Sequence, residues 1–351
     1  MSRFLSLLLI LSALFASSCY EIRGDNTENP WESLEFSSEI PIRALHATPL
    51  ELLAVTDNQL FRINANNEVV EKRNFPLPAA FFGRPAISDF TFIRLVRTFT
   101  TDQLVQIHLV RNPNEVYEFN VADLTAGPGE SFELEGESRD PGAFNEDGSQ
   151  FMLPMRVITA NKRYYAFFLL DIELDPTNSN FVSVSVNKRI DLDDLPGDPG
   201  NLNNIKFLNG NYYITSRNGG FRITPQGETL TNFNDWTWDT FEKDNLLYIT
   251  NFNDFEFYSS FDNGLSWERV GEPSEIKMAL KVNDQIFSQK AIGFPFTLAD
   301  DNLKEVDDLM LNEDFPDDLA AYSDLVYFFG NYYMTVQKEI FFVKDIEIVE
   351  N

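Results

Sequence analysis

From about residue 40 onward, apolar residues come in short runs of roughly four to seven, not at the spacing of an amphipathic helix. Leu52-Leu53-Ala54-Val55-Thr56, Leu60-Phe61-Arg62-Ile63 and Tyr164 to Leu170 are rich in β-branched and aromatic side chains, and Asn, Asp and Gly separate such runs. Those three residues close tight turns, and the runs between them favour pleated, half-buried surfaces. The pattern predicts an all-β chain of many short strands.

The runs also repeat. Gly210-Asn211-Tyr212-Tyr213-Ile214-Thr215 returns as Gly330-Asn331-Tyr332-Tyr333-Met334-Thr335, and more loosely as Asp244-Asn245-Leu246-Leu247-Tyr248-Ile249-Thr250. Leu52 to Thr56 fits the end of the same motif. A short turn and a second apolar run follow, with Phe61-Arg62-Ile63 matching Phe221-Arg222-Ile223. Leu104 to Val110, Tyr164 to Leu170 and Gln285 to Gln289 fall at corresponding places. A unit of about 44 residues with several short strands is the mark of a β-propeller, whose blades bury their faces against one another. A single sandwich is too small for this length and the coils of a β-helix are shorter. The expected fold is a propeller of seven four-stranded blades over residues 40–351, with six or eight also compatible with the spacing. A ring must be closed, because an open one leaves an unpaired edge. The alternating segment Asp345 to Glu350 is expected to supply the outer strand of the closing blade, with Leu34-Glu35-Phe36 adding to it or lying across the rim. Ala122 to Ser149, rich in Gly, Pro and Glu, reads as an insertion between blades.

One turn carries a recognisable signature. Ser260-Phe261-Asp262-Asn263-Gly264-Leu265-Ser266-Trp267 resembles the Asp box of BNR-type propellers, a group that includes sialidases and photosystem II stability and assembly factors. Asp262 can accept hydrogen bonds from turn amides, Gly264 can take a positive φ, Ser260 can cap the turn and Trp267 can pack beneath it. In that group the box lies on the rim, so the resemblance implies a structural role and a propeller fold, not a ligand. Sialidases use an arginine in a Phe-Arg-Ile-Pro motif. Phe61-Arg62-Ile63-Asn64 and Phe221-Arg222-Ile223-Thr224 lack its proline and match each other, so they read as strand repeats with a solvent-facing arginine.

The N-terminus changes the picture of location. Arg3, the uncharged apolar run Phe4 to Phe15 and the small residues Ala16, Ser17 and Ser18 precede Cys19, the only cysteine in the chain. This order resembles the signal peptide and lipobox of bacterial lipoproteins, although Ala16 stands where the box usually has Leu, Val or Ile. The resemblance implies cleavage after residue 18 and acylation of Cys19. Residues 19–39 then form a lipidated, polar tether, and the protein is anchored rather than spanning. Tyr20 is not the Asp that retains enterobacterial lipoproteins in the inner membrane, so the resemblance implies the outer membrane of a cell envelope. The mature chain would have neither thiol nor disulfide, so its stability must come from its core. Arg23-Gly24-Asp25 in the tether is read as a chance match to an adhesion tripeptide.

Composition narrows the partners. Formal net charge is −28, from 55 Asp and Glu against 27 Lys and Arg, which repels polynucleotide phosphates and disfavours an anionic substrate such as sialic acid. His46 and His108 both fall in predicted strands and read as structural. No cofactor motif and no metal-ligand spacing appears. The acidic stretches Asp191 to Asp198 and Asp300 to Asp318 lack EF-hand spacing and read as solvated loops. The expected function is a membrane-anchored, non-enzymatic binding or scaffold lipoprotein that offers a propeller face to a protein partner. The alternative is a glycan-binding protein or glycoside hydrolase on the same fold. A funnel that gathers two carboxylates and aromatic platforms would distinguish the alternative.

Overall fold

The computed structural model describes residues 31–76, 81–98, 102–134, 142–178, 180–197, 201–253, 256–270, 278–289, 297–299, 305–307 and 322–345. Cys19, the expected leader and Arg23-Gly24-Asp25 lie outside these residues. Among those described, no helix is long and apolar enough to cross a membrane.

The described residues form seven antiparallel sheets. Blade 1 runs outward from the axis as Ile42–Ala47, Leu52–Thr56, Gln59–Ile63 and Val69–Asn74. Blade 2 follows with Phe81–Ile87, Thr91–Arg97, Gln103–Leu109 and Asn112–Asn120. Blade 3 has an inner strand in two pieces, Ser131–Leu134 and Ala143–Phe144, then Gln150–Ile158, Arg163–Leu174 and Phe181–Pro196. Blade 4 is Leu202–Leu208, Asn211–Ser216, Gly219–Ile223 and Thr229–Phe233. Blade 5 is Thr237–Lys243, Leu246–Asn251, Phe257–Ser260 and Glu268–Val270. Blade 6 is Met278–Val282, Gln285–Gln289, Thr297–Ala299 and Glu305–Asp307. Blade 7 is Tyr322–Phe328, Asn331–Val336, Glu339–Lys344 and, outermost, the N-terminal strand Glu32–Ser37. Inner strands of successive blades touch all the way round, including blade 7 against blade 1, so the sheets close into a β-propeller.

Two expectations change here. The closing strand is N-terminal: Glu32 pairs with Phe342 and Ser37 with Glu339, so the tether assigned to residues 19–39 gives six of its residues to the propeller. Trp31 and Leu34 explain why, since both are buried, Trp31 against Leu325, Tyr332 and Val343 and Leu34 against Phe61 and Tyr333. The C-terminal segment lies outside the described residues after Asp345. Ala122 to Ser149 is also not a simple insertion, because it contains the interrupted inner strand of blade 3. Ser131–Leu134 pairs with one end of Gln150–Ile158, and Ala143–Phe144 pairs with the other.

The core lies between blades rather than within them. In the second strand of blade 1, Leu52 and Ala54 face blade 7 while Leu53 and Val55 face blade 2. Both faces of such a strand are buried, so it reads as a continuous apolar run and not as an alternation. The repeated motif strands all lie second in their blades, and their side chains join neighbours. Tyr212 Oη donates toward the carbonyl of Gln150 in the preceding blade at 3.4 Å, whereas Tyr213 Oη donates to the carbonyl of Asn263 in the following blade at 3.0 Å. In blade 7, Tyr332 lies beside Asn283 of the preceding blade, and Tyr333 Oη donates to Asn67 Oδ1 of blade 1 at 2.5 Å. The motif threonine has a third role. Inner strands carry a bulge opposite it, and Thr215 and Thr250 bond the carbonyls of Asn204 and Asp239 there, while Thr335 Oγ1 accepts from Asp324 N. A bulge turns a side chain out of the pleat, which is how the inner strands furnish the channel.

Candidate functional site: the central channel and the face above it

A cavity of about 330 Å³ lies on the axis, lined from the inner strands of blades 1, 2, 3, 4 and 7. Its charged groups are joined in pairs. Arg84 forms an ion pair with Asp324 and donates through Nε to the carbonyl of Arg43 at 3.0 Å. The other oxygen of Asp324 accepts from the backbone of Leu45 at 2.7 Å. Lys206 Nζ lies 2.8 Å from Asp239 Oδ1, which also accepts from Asn204 Nδ2 and Thr240 N. Asp239 is only 3% exposed, and a carboxylate so buried is tolerable only with such partners. Each of these two acids therefore holds a cation and a backbone amide, an arrangement that stitches blades together.

The face on which inner strands begin carries an aromatic stack. Arg217, in the turn after the second strand of blade 4, lies over the Trp236 ring at 5.3 Å. Trp236 stacks on Phe252 with centroids 3.9 Å apart, and Trp238 meets Phe252 at 5.1 Å. The two tryptophans are two residues apart at the start of a strand, hence on one side of it. Thr237 between them is buried and fixed: its Oγ1 accepts from Ser216 N and donates to the carbonyl of Gly219, both at 3.0 Å. Asp235 accepts from Asn251 Nδ2 and Asn253 Nδ2, each at 2.9 Å. The result is a half-exposed aromatic surface edged by a carboxylate, two amides and a guanidinium. No site was expected here from the sequence, although Trp236-Thr237-Trp238 with strand spacing was its visible signal.

The Asp box forms the turn between the third and outer strands of blade 5, on the opposite face. Asp262 Oδ1 accepts from Leu265 N at 3.0 Å and Ser266 N at 2.8 Å, while Oδ2 accepts from Ser266 Oγ at 2.6 Å. Ser260 Oγ accepts from Gly264 N and donates to Asp262, each at 2.7 Å, and Gly264 has φ +82°. The Ser266 bonds, with help from Ser260, hold the Asp262 carboxyl down to about 2. Trp267 meets Phe233 of blade 4 edge-on at 6.1 Å.

The other sequence candidates are tied into the scaffold. Arg62 is paired with Glu51 and Glu71 rather than free in solvent, and Arg222 donates to the carbonyl of Asn263 at 2.7 Å. His46 Nε2 bonds Asp89 at 2.8 Å. His108 is buried, stacks on Phe92 at 4.6 Å and bonds the Pro113 carbonyl at 2.7 Å. In the first acidic stretch, Asp191 pairs with Arg189 and Asp193 with Lys162, while most of Asp300 to Asp318 lies outside the described residues. Among the described residues, no group of three His, Cys, Asp or Glu side chains is placed to hold a metal ion. A Tyr–Glu pair does exist in blade 3, with Tyr164 Oη donating to Glu130 at 2.9 Å. Arg189 holds that glutamate down to about 2, and burial together with Glu130 pushes the phenol up to about 12. Such a phenol is a poor nucleophile. The trio clamps the segment leading into the interrupted strand to the third and outer strands of blade 3.

No family model matches the chain, and no curated protein matches it. Among solved structures, it is similar to BamB from Moraxella catarrhalis, at 11% identity and TM-score 0.48, over 90% of this chain and 99% of that one. It is similar to the WD40 domain of SCAP from fission yeast, at 8% identity and TM-score 0.48, over 90% and 97%. It is also similar to PorZ, a surface component of the type-IX secretion system of Porphyromonas gingivalis, at 12% identity and TM-score 0.43, over 88% of this chain and 37% of that one. The identities are low and the scores stay below 0.5, so the propeller assignment rests on the sheet topology itself.

Proposed function

We propose that this chain is a cell-envelope lipoprotein, acylated at Cys19 and residing at the outer membrane, whose propeller presents its aromatic face to a protein partner without catalysing a reaction. The observation that carries the reading is the contrast between channel and face. The channel's charges are consumed in ion pairs, whereas Arg217, Trp236, Phe252 and Trp238 form a pre-organised aromatic and cationic surface, the side chains in which interface hot spots are enriched. In the same reading the Asp box is structural. The decisive experiment is cross-linking in intact cells followed by reconstitution of the recovered protein with the purified propeller. Trp236→Ala with Trp238→Ala should weaken that complex at least tenfold, as loss of two aromatic anchors does, without changing the melting temperature by more than a few degrees. Equal affinity for the double variant would overturn the reading.

A second reading has one observation in its favour. Tryptophans edged by Asp235, Asn251 and Asn253 also suit a sugar ring, which offers an apolar face and a rim of hydroxyls. Titration with envelope oligosaccharides separates the two, because saturable heat lost in the same double variant would assign the stack to a glycan.

A further inference from the structure

The second strands of blades 4 and 7 carry the same motif, so their clefts against the preceding blade can be compared residue for residue. Tyr212 of blade 4 reaches Gln150, the first residue of the second strand of blade 3. Its Oη lies 3.4 Å from the carbonyl and 3.3 Å from Oε1 of that glutamine. Gln150 Nε2 in turn donates to Asp171 Oδ1 at 2.9 Å, so protein closes this cleft. Blade 6 also begins its second strand with a glutamine, Gln285, but here the bridge is missing. Tyr332 is 0% exposed and stands beside Asn283 and Asp345, yet its Oη is at bonding geometry to no partner.

Where the bridge would be, a cavity of about 690 Å³ separates the turns of blades 6 and 7, on the face that carries the Asp box. Asn283, Asp284 and Gln285 wall it from blade 6, and Tyr327, Asn331, Lys344 and Asp345 wall it from blade 7. Its size is that of a small-molecule site.

The unfilled hydrogen bonds name the class of ligand. Burial is the main cause that pushes the Tyr332 phenol up, so it remains an O–H in need of an acceptor, and a buried hydroxyl without one is a cost to the fold. Asp345 is short of donors, since Tyr327 Oη and Asn283 Nδ2 approach its Oδ2 only at 3.3 and 3.5 Å, long for such bonds. An amine would serve the carboxylates but give Tyr332 no acceptor. An anion would serve Tyr332 but meets two carboxylates and a net charge of −28, which repel it. A hydroxyl group both donates and accepts, and a sugar carries several on a ring whose apolar face suits the half-buried ring of Tyr327. We propose that the cleft between blades 6 and 7 binds a neutral saccharide, with Tyr332 Oη donating to one hydroxyl and Asp345 accepting from another. The cleft and the Trp236 surface lie on opposite faces of the propeller, so each can be lost without the other.

The test is saturation-transfer NMR with the methyl glycosides of glucose, galactose, mannose and N-acetylglucosamine and with disaccharides of each, followed by calorimetric titration. At least one should bind saturably, and Asp345→Asn and Tyr332→Phe should each weaken it about tenfold. Trp236→Ala with Trp238→Ala should leave the affinity unchanged. Tyr332→Phe also reports without any sugar. Removing an unpaired hydroxyl should hold or raise the melting temperature, whereas Tyr212→Phe, which loses a partnered one, should lower it. An equal fall for both variants overturns the proposal, because a bound water or Asp345 then already satisfies Tyr332. Silence across the whole panel overturns it, as does binding of putrescine in place of every sugar, since carboxylates alone then select the ligand. Sugar binding that survives Asp345→Asn and Tyr332→Phe but vanishes in the tryptophan variant also overturns it and places the glycan on the other face.

Discussion

His108 shows how much a single side chain can set. Burial is the main reason its imidazole is pushed down to about 4, so it is neutral in the folded protein at physiological pH. The unfolded chain binds a proton near 6.5 and the folded one near 4, so stability falls as pH drops from about 6.5 to 4. The loss amounts to about 3 kcal/mol for a shift of that size. His108→Gln should flatten the pH dependence of urea unfolding within this window, and an unchanged slope would show that other groups dominate it. Asp262 titrates lower, being held near 2 by hydrogen bonds from Ser266 and Ser260. Its contribution is present above the unfolded aspartate value near 4 and is lost between about 4 and 2. Asp262→Ala should lower the melting temperature by a few degrees at pH 7 and leave partner binding intact. Lost binding at unchanged melting would move the functional site to that turn.

At the scale of the element, the G-N-Y-Y-Φ-T strand explains its own recurrence. One tyrosine reaches back a blade, the next reaches forward, and the threonine fills the bulge that turns Asp239 or Asp324 into the channel. Tyr213→Phe removes the bond to Asn263 and keeps the ring, for about 1 kcal/mol. Tyr333→Phe removes the equivalent bond to Asn67. The two lie in different blades with no shared partner, so denaturant titration of the double variant should give the sum of the singles. A large coupling term would mean that the two tyrosines are linked energetically through the blades between them.

For the whole molecule, closure is the element most exposed to test. Residues 32–37 complete blade 7, and Trp31 is buried among Leu325, Tyr332 and Val343. Trp31→Ala should cost about 3–5 kcal/mol, as buried aromatic truncations do. Deleting residues up to 30 should leave melting unchanged, whereas deleting residues up to 37 exposes an unpaired edge and should promote aggregation. Equal melting of the two truncations would refute this latch.

What the chain says by itself is set by local physics. Short apolar runs, Asn and Gly at turns and a repeated motif specify strands, hairpins and a unit length, and these follow from φ/ψ limits and from burial of both faces of each second strand. Glu35 and Phe36 alternate as a strand should, and so do Glu347 and Ile348. Nothing in that alternation tells which end finds the open edge of blade 7. That choice was made by Trp31 and Leu34, whose pockets join residues near the N-terminus to the blade 7 residues Leu325, Tyr332, Tyr333 and Val343 from the far end of the chain. Likewise Arg62 reads as a solvent-facing repeat until Glu51 and Glu71 are folded beside it, and Trp236 and Trp238 form a surface only once Phe252 and Arg217 arrive from other turns. Charge pairs and faces are products of non-local packing, and only the closed ring of blades decides them.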